Sequence, residues 1–181
     1  AGVGYGGSCF PKDVKALVQI GKQVNMTMEI ASAVESVNEQ QKRFLSAKIL
    51  KQMGPNLRGL RFAVWGLAFK PETDDIREAP ALEIIDDLLN AGAIVSAYDP
   101  EALDNVKEIL GSKIDYAENP EAAIAGADAL ILVTEWSCFR NPNWDEVSIH
   151  LKGNRVYDGR NLYQPSVVRQ HGLIYEAVGR Q

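Results

Sequence analysis

The sequence predicts an α/β fold in which a long central helix precedes a doubly wound parallel sheet, and three observations carry that reading. Beyond residue 57, six short apolar runs alternate with helix-like stretches, the pattern of a parallel sheet covered by helices on both faces. Residues 26–53 contain neither Gly nor Pro and repeat apolar side chains at helical spacing. The first eight residues are too rich in glycine for a helix or a strand.

Taken in order, the opening residues Ala1 to Ser8 are expected to form a loop, and a helix starts near Pro11, whose fixed φ suits a first turn. Val14, Leu17, Val18 and Ile20 give it an apolar set, and Gly21 is its expected stop. Ile30, Val34, Val37, Phe44, Leu45 and Ile49 then mark the helix over 26–53, which at 1.5 Å per residue is about 40 Å long. That length exceeds the need of a small domain, so this helix is expected to be a connector or a subunit interface. Met53-Gly54-Pro55-Asn56 closes it and sets the domain boundary, dividing 1–56 from 57–181. Strands follow at 61–69, 94–98, 114–116, 129–133, 155–157 and 172–177, with helices at 78–91, 101–110, 120–126, 143–151 and 165–170.

The 181 residues carry 19 Lys and Arg against 24 Asp and Glu, with 46% hydrophobic residues, an ordinary globular composition that can bury a core. The net charge of −5 speaks against a general nucleic-acid or anionic-membrane surface, and no basic and aromatic clusters interleave. Charge is uneven: seven Lys/Arg face four Asp/Glu over 1–56, and twelve face twenty over 57–181. An anionic ligand must therefore be held by a few placed cations. No apolar run approaches the roughly 18 residues of a membrane span, and two cysteines are too few for a disulfide framework, so a cytoplasmic setting is expected. His150 and His171 stand apart without metal-ligand spacing, and Cys138, beside Trp136 and Phe139, is expected to be packed.

Three constellations could carry chemistry. In Gly4-Tyr5-Gly6-Gly7-Ser8-Cys9-Phe10-Pro11-Lys12-Asp13, glycines let a backbone approach a ligand, and Cys9 sits at a helix N-terminus near Lys12 and Lys15, which favours the thiolate. Asp13, one helical turn on, could act on a water. Read as an isolated Gly-Gly-Ser-Cys, the stretch is better taken for a glycine turn capping a helix, with Cys9 as a small buried hydrophobe. The second constellation runs from Val64 to Glu78, where a strand ends in Gly66 before a loop holding Phe69, Lys70, Asp74, Asp75 and Arg77. It lacks Gly-x-Gly-x-x-Gly, so Lys70 and Arg77 read as cations for phosphates, or the loop is an ordinary one with an Asp N-cap. In the third, Tyr157-Asp158-Gly159-Arg160-Asn161 ends the fifth strand and alone reads as a turn with a surface arginine. Tyr98-Asp99-Pro100 reads as a strand-end turn.

The full strings change the weights. Gly4 to Asp13 resembles the catalytic-cysteine segment of the nucleotide-sugar dehydrogenases, the UDP-glucose/GDP-mannose dehydrogenase family, with Tyr5 in place of Phe. Gly66-Leu67-Ala68-Phe69-Lys70 with Thr73-Asp74-Asp75 and Arg77-Glu78-Ala79-Pro80 is similar to that family's UDP-binding domain, and Asp158-Gly159-Arg160-Asn161 and Thr134-Glu135-Trp136 also match. The resemblance implies a Rossmann-like UDP-binding domain and an NAD-dependent, four-electron oxidation of UDP-glucose to UDP-glucuronate. It implies Cys9 as nucleophile, through a thiohemiacetal and a thioester, and Asp13 as the carboxylate that activates water. It further implies that Ala1, Gly2, Val3, Gly4, Tyr5, Gly6, Phe69, Lys70 and Arg160 face the substrate, and that Cys9, Phe10, Pro11, Lys12 and Arg77 face the cofactor. The family's Gly-x-Gly-x-x-Gly domain is not in this sequence, so a C-terminal portion that does not turn over alone is expected. The alternatives are a nucleotide-binding or dimerisation module without catalysis, or a dehydrogenase of a related UDP-sugar.

Overall fold

The computed structural model describes residues 2–180. After the opening loop come α1 (Phe10–Gln23), α2 (Glu29–Lys42) and α3 (Phe44–Met53). The sheet domain then runs β1 (Arg61–Trp65), α4 (Pro80–Asn90), β2 (Ile94–Tyr98), α5 (Leu103–Leu110), β3 (Asp115–Tyr116), α6 (Pro120–Ile124), β4 (Ala129–Leu132), α7 (Trp144–His150), β5 (Arg155–Asp158), α8 (Pro165–Gln170) and β6 (Ile174–Ala177). The strands form one sheet in the order β3-β2-β1-β4-β5-β6, and every pairing is parallel. This is the doubly wound topology expected from the alternation, with its order reversing between β1 and β4.

Strand alternation divides the core. Phe62 and Val64 point to one face, where they meet Val95, Ile131 and Tyr157 beneath α3, α4 and α5. Ala63 and Trp65 point to the other, with Leu130, Leu132 and Val156 beneath α6, α7 and α8. Proline opens α4, α6 and α8, and Asn119 and Asn143 cap α6 and α7 through their side-chain oxygens.

Several boundaries depart from expectation. α1 passes through Gly21, its expected stop, and ends at Gln23, with Gly21 buried where a Cβ would meet Met28 and the Met26 carbonyl. The run 26–53 is not one helix of about 40 Å but two, of about 21 and 15 Å, parted at Arg43. The Arg43 N–H reaches the Gln40 carbonyl, three residues back, at 3.2 Å. Its guanidinium is drawn to Glu83 and Asp87 of α4, and the Ser46 hydroxyl lies between the Arg43 carbonyl and Asp87. The two pieces bury different faces. α3 delivers Leu45 and Ile49 into the sheet core, whereas Ile30 of α2 is 84% exposed and Val37 is also exposed. β1 stops at Trp65 rather than at 69, because Gly66 turns the chain at φ +91° and a Cβ there would collide with Thr134 at the end of β4.

Candidate functional site

The opening loop lies across the carboxyl ends of the central strands, held from below and from the side. Val3 is fully buried in the sheet core and its N–H donates to the Gly159 carbonyl at 3.1 Å. From α2, Asn38 accepts the Tyr5 N–H at 2.8 Å and donates to the Tyr5 carbonyl at 3.1 Å, and Gln41 donates to the Gly2 carbonyl at 2.6 Å. Gly7, at φ +90°, donates to the Arg77 carbonyl at 2.8 Å and lies against the Phe69 ring, leaving no room for a Cβ. Cys9 then caps α1, its side chain exposed and 3.7 Å from the Ser8 hydroxyl, while its carbonyl accepts from the Asp13 N–H at 2.9 Å.

Between this loop and α2 opens a cleft of about 780 Å³, lined by Gly2, Gly4, Tyr5, Asn38, Glu135 and Arg160 together with the apolar face of α2. Arg160 crosses the point where the strand order reverses. Its Nε donates to the Val133 carbonyl at 2.7 Å and its Nη2 to the Phe69 carbonyl at 3.1 Å, with Glu135 3.1 Å away. Burial pulls this guanidinium below its ordinary value while Glu135 pushes back, and an arginine stays charged through such a shift. Asp158, fully buried, shapes the turn by accepting the Arg160 N–H at 2.9 Å, the Tyr163 N–H at 2.9 Å and the Tyr175 hydroxyl at 2.7 Å.

Of the residues expected to face a substrate, Gly2, Gly4, Tyr5 and Arg160 line this cleft. Gly6 packs against the Glu78 carbonyl, and Phe69 contributes a ring under Gly7 and a carbonyl to Arg160. Lys70 is exposed, its ammonium 5.4 Å from the centre of the Phe69 ring. Ala1 lies outside the described residues. The residues expected to face a cofactor do not line the cleft. Phe10, Lys12 and Arg77 are exposed, Pro11 is buried, and Arg77 forks onto Asp75 at 2.9 and 2.8 Å with Cys9 in electrostatic reach. Asp75 is thus engaged by Arg77 and caps no helix, since α4 starts after Ala79 without a side-chain cap. Asn38 and Gln41 were not foreseen as site residues. Their one signal is spacing, two amides three positions apart on a helix whose neighbouring face is apolar.

A buried lysine ties these parts together. Lys42, 1% exposed, donates to Glu39 at 3.0 Å and to Glu78 at 2.7 Å, and the other Glu78 oxygen takes Lys15 of α1 at 2.6 Å. Hydrogen bonds from Lys15 and Lys42 hold the Glu78 carboxyl below its ordinary 4.5. Burial pulls Lys42 down, but its bonds to Glu78 and Glu39 win and raise it above 10.5. The Glu78 contribution is therefore present above pH 4.5 and lost as pH falls through the lower folded value; that of Lys42 is present below pH 10.5 and lost as pH rises through the higher one. Melting temperature against pH should show a plateau between these limits. Lys42→Met should lower the plateau and flatten the acid limb, and an acid limb of unchanged slope would remove Glu78 as its source.

Cys138 is exposed rather than packed. Partial burial nonetheless pushes its thiol up, with Asp99 and Glu121 adding to the shift. Iodoacetamide at neutral pH is expected to alkylate Cys9 about tenfold faster than Cys138, as read by peptide mass spectrometry; equal rates would count against Cys9 as the reactive thiol.

The sheet order, the cleft where that order reverses and the cysteine-bearing loop across it define a doubly wound ligand-binding domain joined to a thiol segment. Residues 63–165 match the UDP binding domain of the UDP-glucose/GDP-mannose dehydrogenase family, and residues 1–40 match that family's central domain. The chain belongs to this family. It is 40% identical over 180 residues to the UDP-glucose 6-dehydrogenase of Rhizobium meliloti and 42% identical over 185 residues to that of Pseudomonas aeruginosa, in each case over 99% of this chain and 41% of the relative. A solved UDP-glucose dehydrogenase from the archaeon Pyrobaculum islandicum superposes with a TM-score of 0.84 at 35% identity, over 97% of this chain and 38% of that one. The chain thus spans about two fifths of the length of the relatives it matches. Among the described residues, no helix is long and apolar enough to cross a membrane.

Proposed function

We propose that this chain is the substrate-holding and thiol-bearing part of an NAD-dependent dehydrogenase that oxidises UDP-glucose to UDP-glucuronate, with residues 57–181 holding the UDP and residues 1–56 supplying the cysteine loop. The placement of Arg160 carries the reading: a partly buried cation spans the reversal point of the sheet and opens onto a cleft walled by a glycine backbone. Gly2, Gly4 and Tyr5 wall the cleft in which the sugar-nucleotide would lie, with Gly6 next in the loop and Val3 as its anchor, and Phe69 with Lys70 would meet the same ligand.

Cys9 supplies the covalent chemistry. Its thiolate adds to the carbonyl carbon of the sugar aldehyde, forming a C–S bond and a thiohemiacetal. Once that carbon stands at the thioester level, water assisted by Asp13 breaks the C–S bond, releasing the carboxylate and returning the thiol. Of the two oxidations NAD would supply, one takes the alcohol to the aldehyde before the thiol adds and the other takes the thiohemiacetal to the thioester after it. A dinucleotide does not fit the turn after β1, which lacks the glycine fingerprint and whose N–H groups Asp99 already holds. Phe10, Lys12 and Arg77 form an exposed edge rather than a cradle, so NAD rests mainly on parts beyond these residues, and the stretch alone should not turn over.

Calorimetry on the 181-residue chain tests this. UDP and UDP-glucose should bind saturably and NAD alone should give no resolved heat; no heat with either UDP ligand would sink the reading. A homodimer through the apolar face of α2, narrower than the whole of 26–53 and shared with the wall of the cleft, belongs to the same proposal, the second copy then bordering the cleft. Sedimentation should show a dimer that Val37→Glu dissociates, and a monomer at high concentration would exclude it.

A further inference from the structure

In a doubly wound sheet, the turn after the first strand is where a dinucleotide pyrophosphate settles, on free N–H groups at the start of the next helix. Here that turn already has an occupant. Asp99, at the end of β2 and 1% exposed, accepts the Leu67 N–H at 2.6 Å and the Ala68 N–H at 3.1 Å on one oxygen, together with the Trp136 indole N–H at 3.0 Å. Its other oxygen accepts the N–H groups of Glu101 and Ala102 at 3.0 and 2.9 Å. Five donors thus converge on one carboxylate supplied by the chain itself.

The rest of the turn is pinned to match. Thr134 donates its hydroxyl to the Ala68 carbonyl at 2.6 Å, the Phe69 N–H donates to the Asp75 carbonyl at 3.1 Å, and the Phe69 carbonyl takes Arg160. α4 begins only at Pro80, so its N-terminus is separated from the turn by residues 66–79. The conformation of Phe69, and the point from which Lys70 departs, are therefore fixed through Ala68 by side chains of β2 and of the segment after β4.

We propose that Asp99 is an internal ligand of the β1 turn. Its carboxylate takes the donors a pyrophosphate would use, closes the turn to dinucleotides, and acts as a positioning residue for the backbone that presents Phe69 and Lys70. The link to substrate rests on the functional reading above, whereas the hold on the turn does not. A ligand entering this domain must then approach from the Arg160 side.

Asp99→Asn tests both parts, because it keeps the shape but sets an NH2 against N–H donors whichever way the amide turns. With exchange followed by NMR on the 181-residue chain, the amides of Leu67 and Ala68 should exchange about 100-fold faster while those of Val95 and Leu130 in the sheet stay within about threefold. UDP affinity of the folded protein should fall about tenfold, and NAD should still give no heat. Trp136→Phe removes one donor only and should give the same local pattern at smaller amplitude, which keeps the test open if Asp99→Asn fails to fold. Unchanged exchange at 67 and 68, or acceleration spread evenly over the sheet with UDP affinity intact, would overturn the proposal. If the unaltered chain gives no heat with UDP, the functional reading falls by itself, and exchange at 67 and 68 still decides for or against Asp99.

Discussion

Cys9→Ala is expected to lower uronate formation by about 10⁴-fold in an enzyme carrying this segment, the scale on which removal of a covalent nucleophile acts. Without the thiol no thiohemiacetal forms, so the aldehyde carbon has no route to the thioester. UDP-glucose affinity should change less than about threefold, because Cys9 is exposed, its thiol lies beside the Ser8 hydroxyl and it does not line the cleft. Cys138 offers no substitute, since it follows β4 and its thiol is kept protonated. Uronate and NADH measured together decide the matter: a variant retaining more than about a tenth of the rate would exclude Cys9 as nucleophile.

Arg160→Ala should lose both fold and ligand. It strips donors from the Val133 and Phe69 carbonyls and leaves Glu135 beside an empty space, at a position where the arginine side chain is 17% exposed. Breaking such a pair and orphaning its partners costs about 3 kcal/mol. Among molecules that remain folded, UDP affinity should fall about 100-fold, since a partly buried cation beside an anionic ligand has no replacement. Arg160→Lys should recover little, because an ammonium cannot reach two carbonyls in a fork. Denaturant unfolding and calorimetry separate the two effects, and wild-type affinity in Arg160→Ala would remove the residue from the site.

The sheet was legible in the sequence because each strand is a short apolar run bounded by turn residues, and β2 is read to its ends. β6 begins at Ile174 rather than at 172, since Gly172 is spent on a turn at φ +77°. The break at Arg43 was not legible. No Gly or Pro marks it, and its cause lies some forty residues away in Glu83 and Asp87. The site divides the same way. The motif around Arg160 pointed to a residue that lines the cleft, but the grip of Asn38 on Tyr5 exists only once α2 is seated against the loop. Asp99 was read as a strand-end turn, which its bonds to Glu101 and Ala102 bear out, while its other oxygen holds the turn after β1, some thirty residues earlier.

The seating of α3 has a practical corollary for dissecting the molecule. Leu45 and Ile49, with Val3 from the opening loop, belong to the same core as Phe62 and Val64. A cut at the glycine and proline of 54–55, the visible punctuation, would unroof one face of the sheet and expose apolar side chains to water. A cut at Arg43 instead keeps α3 on the sheet and gives up only Val3 from that core, at a residue that looks like ordinary helix in one dimension and parts two helices in three.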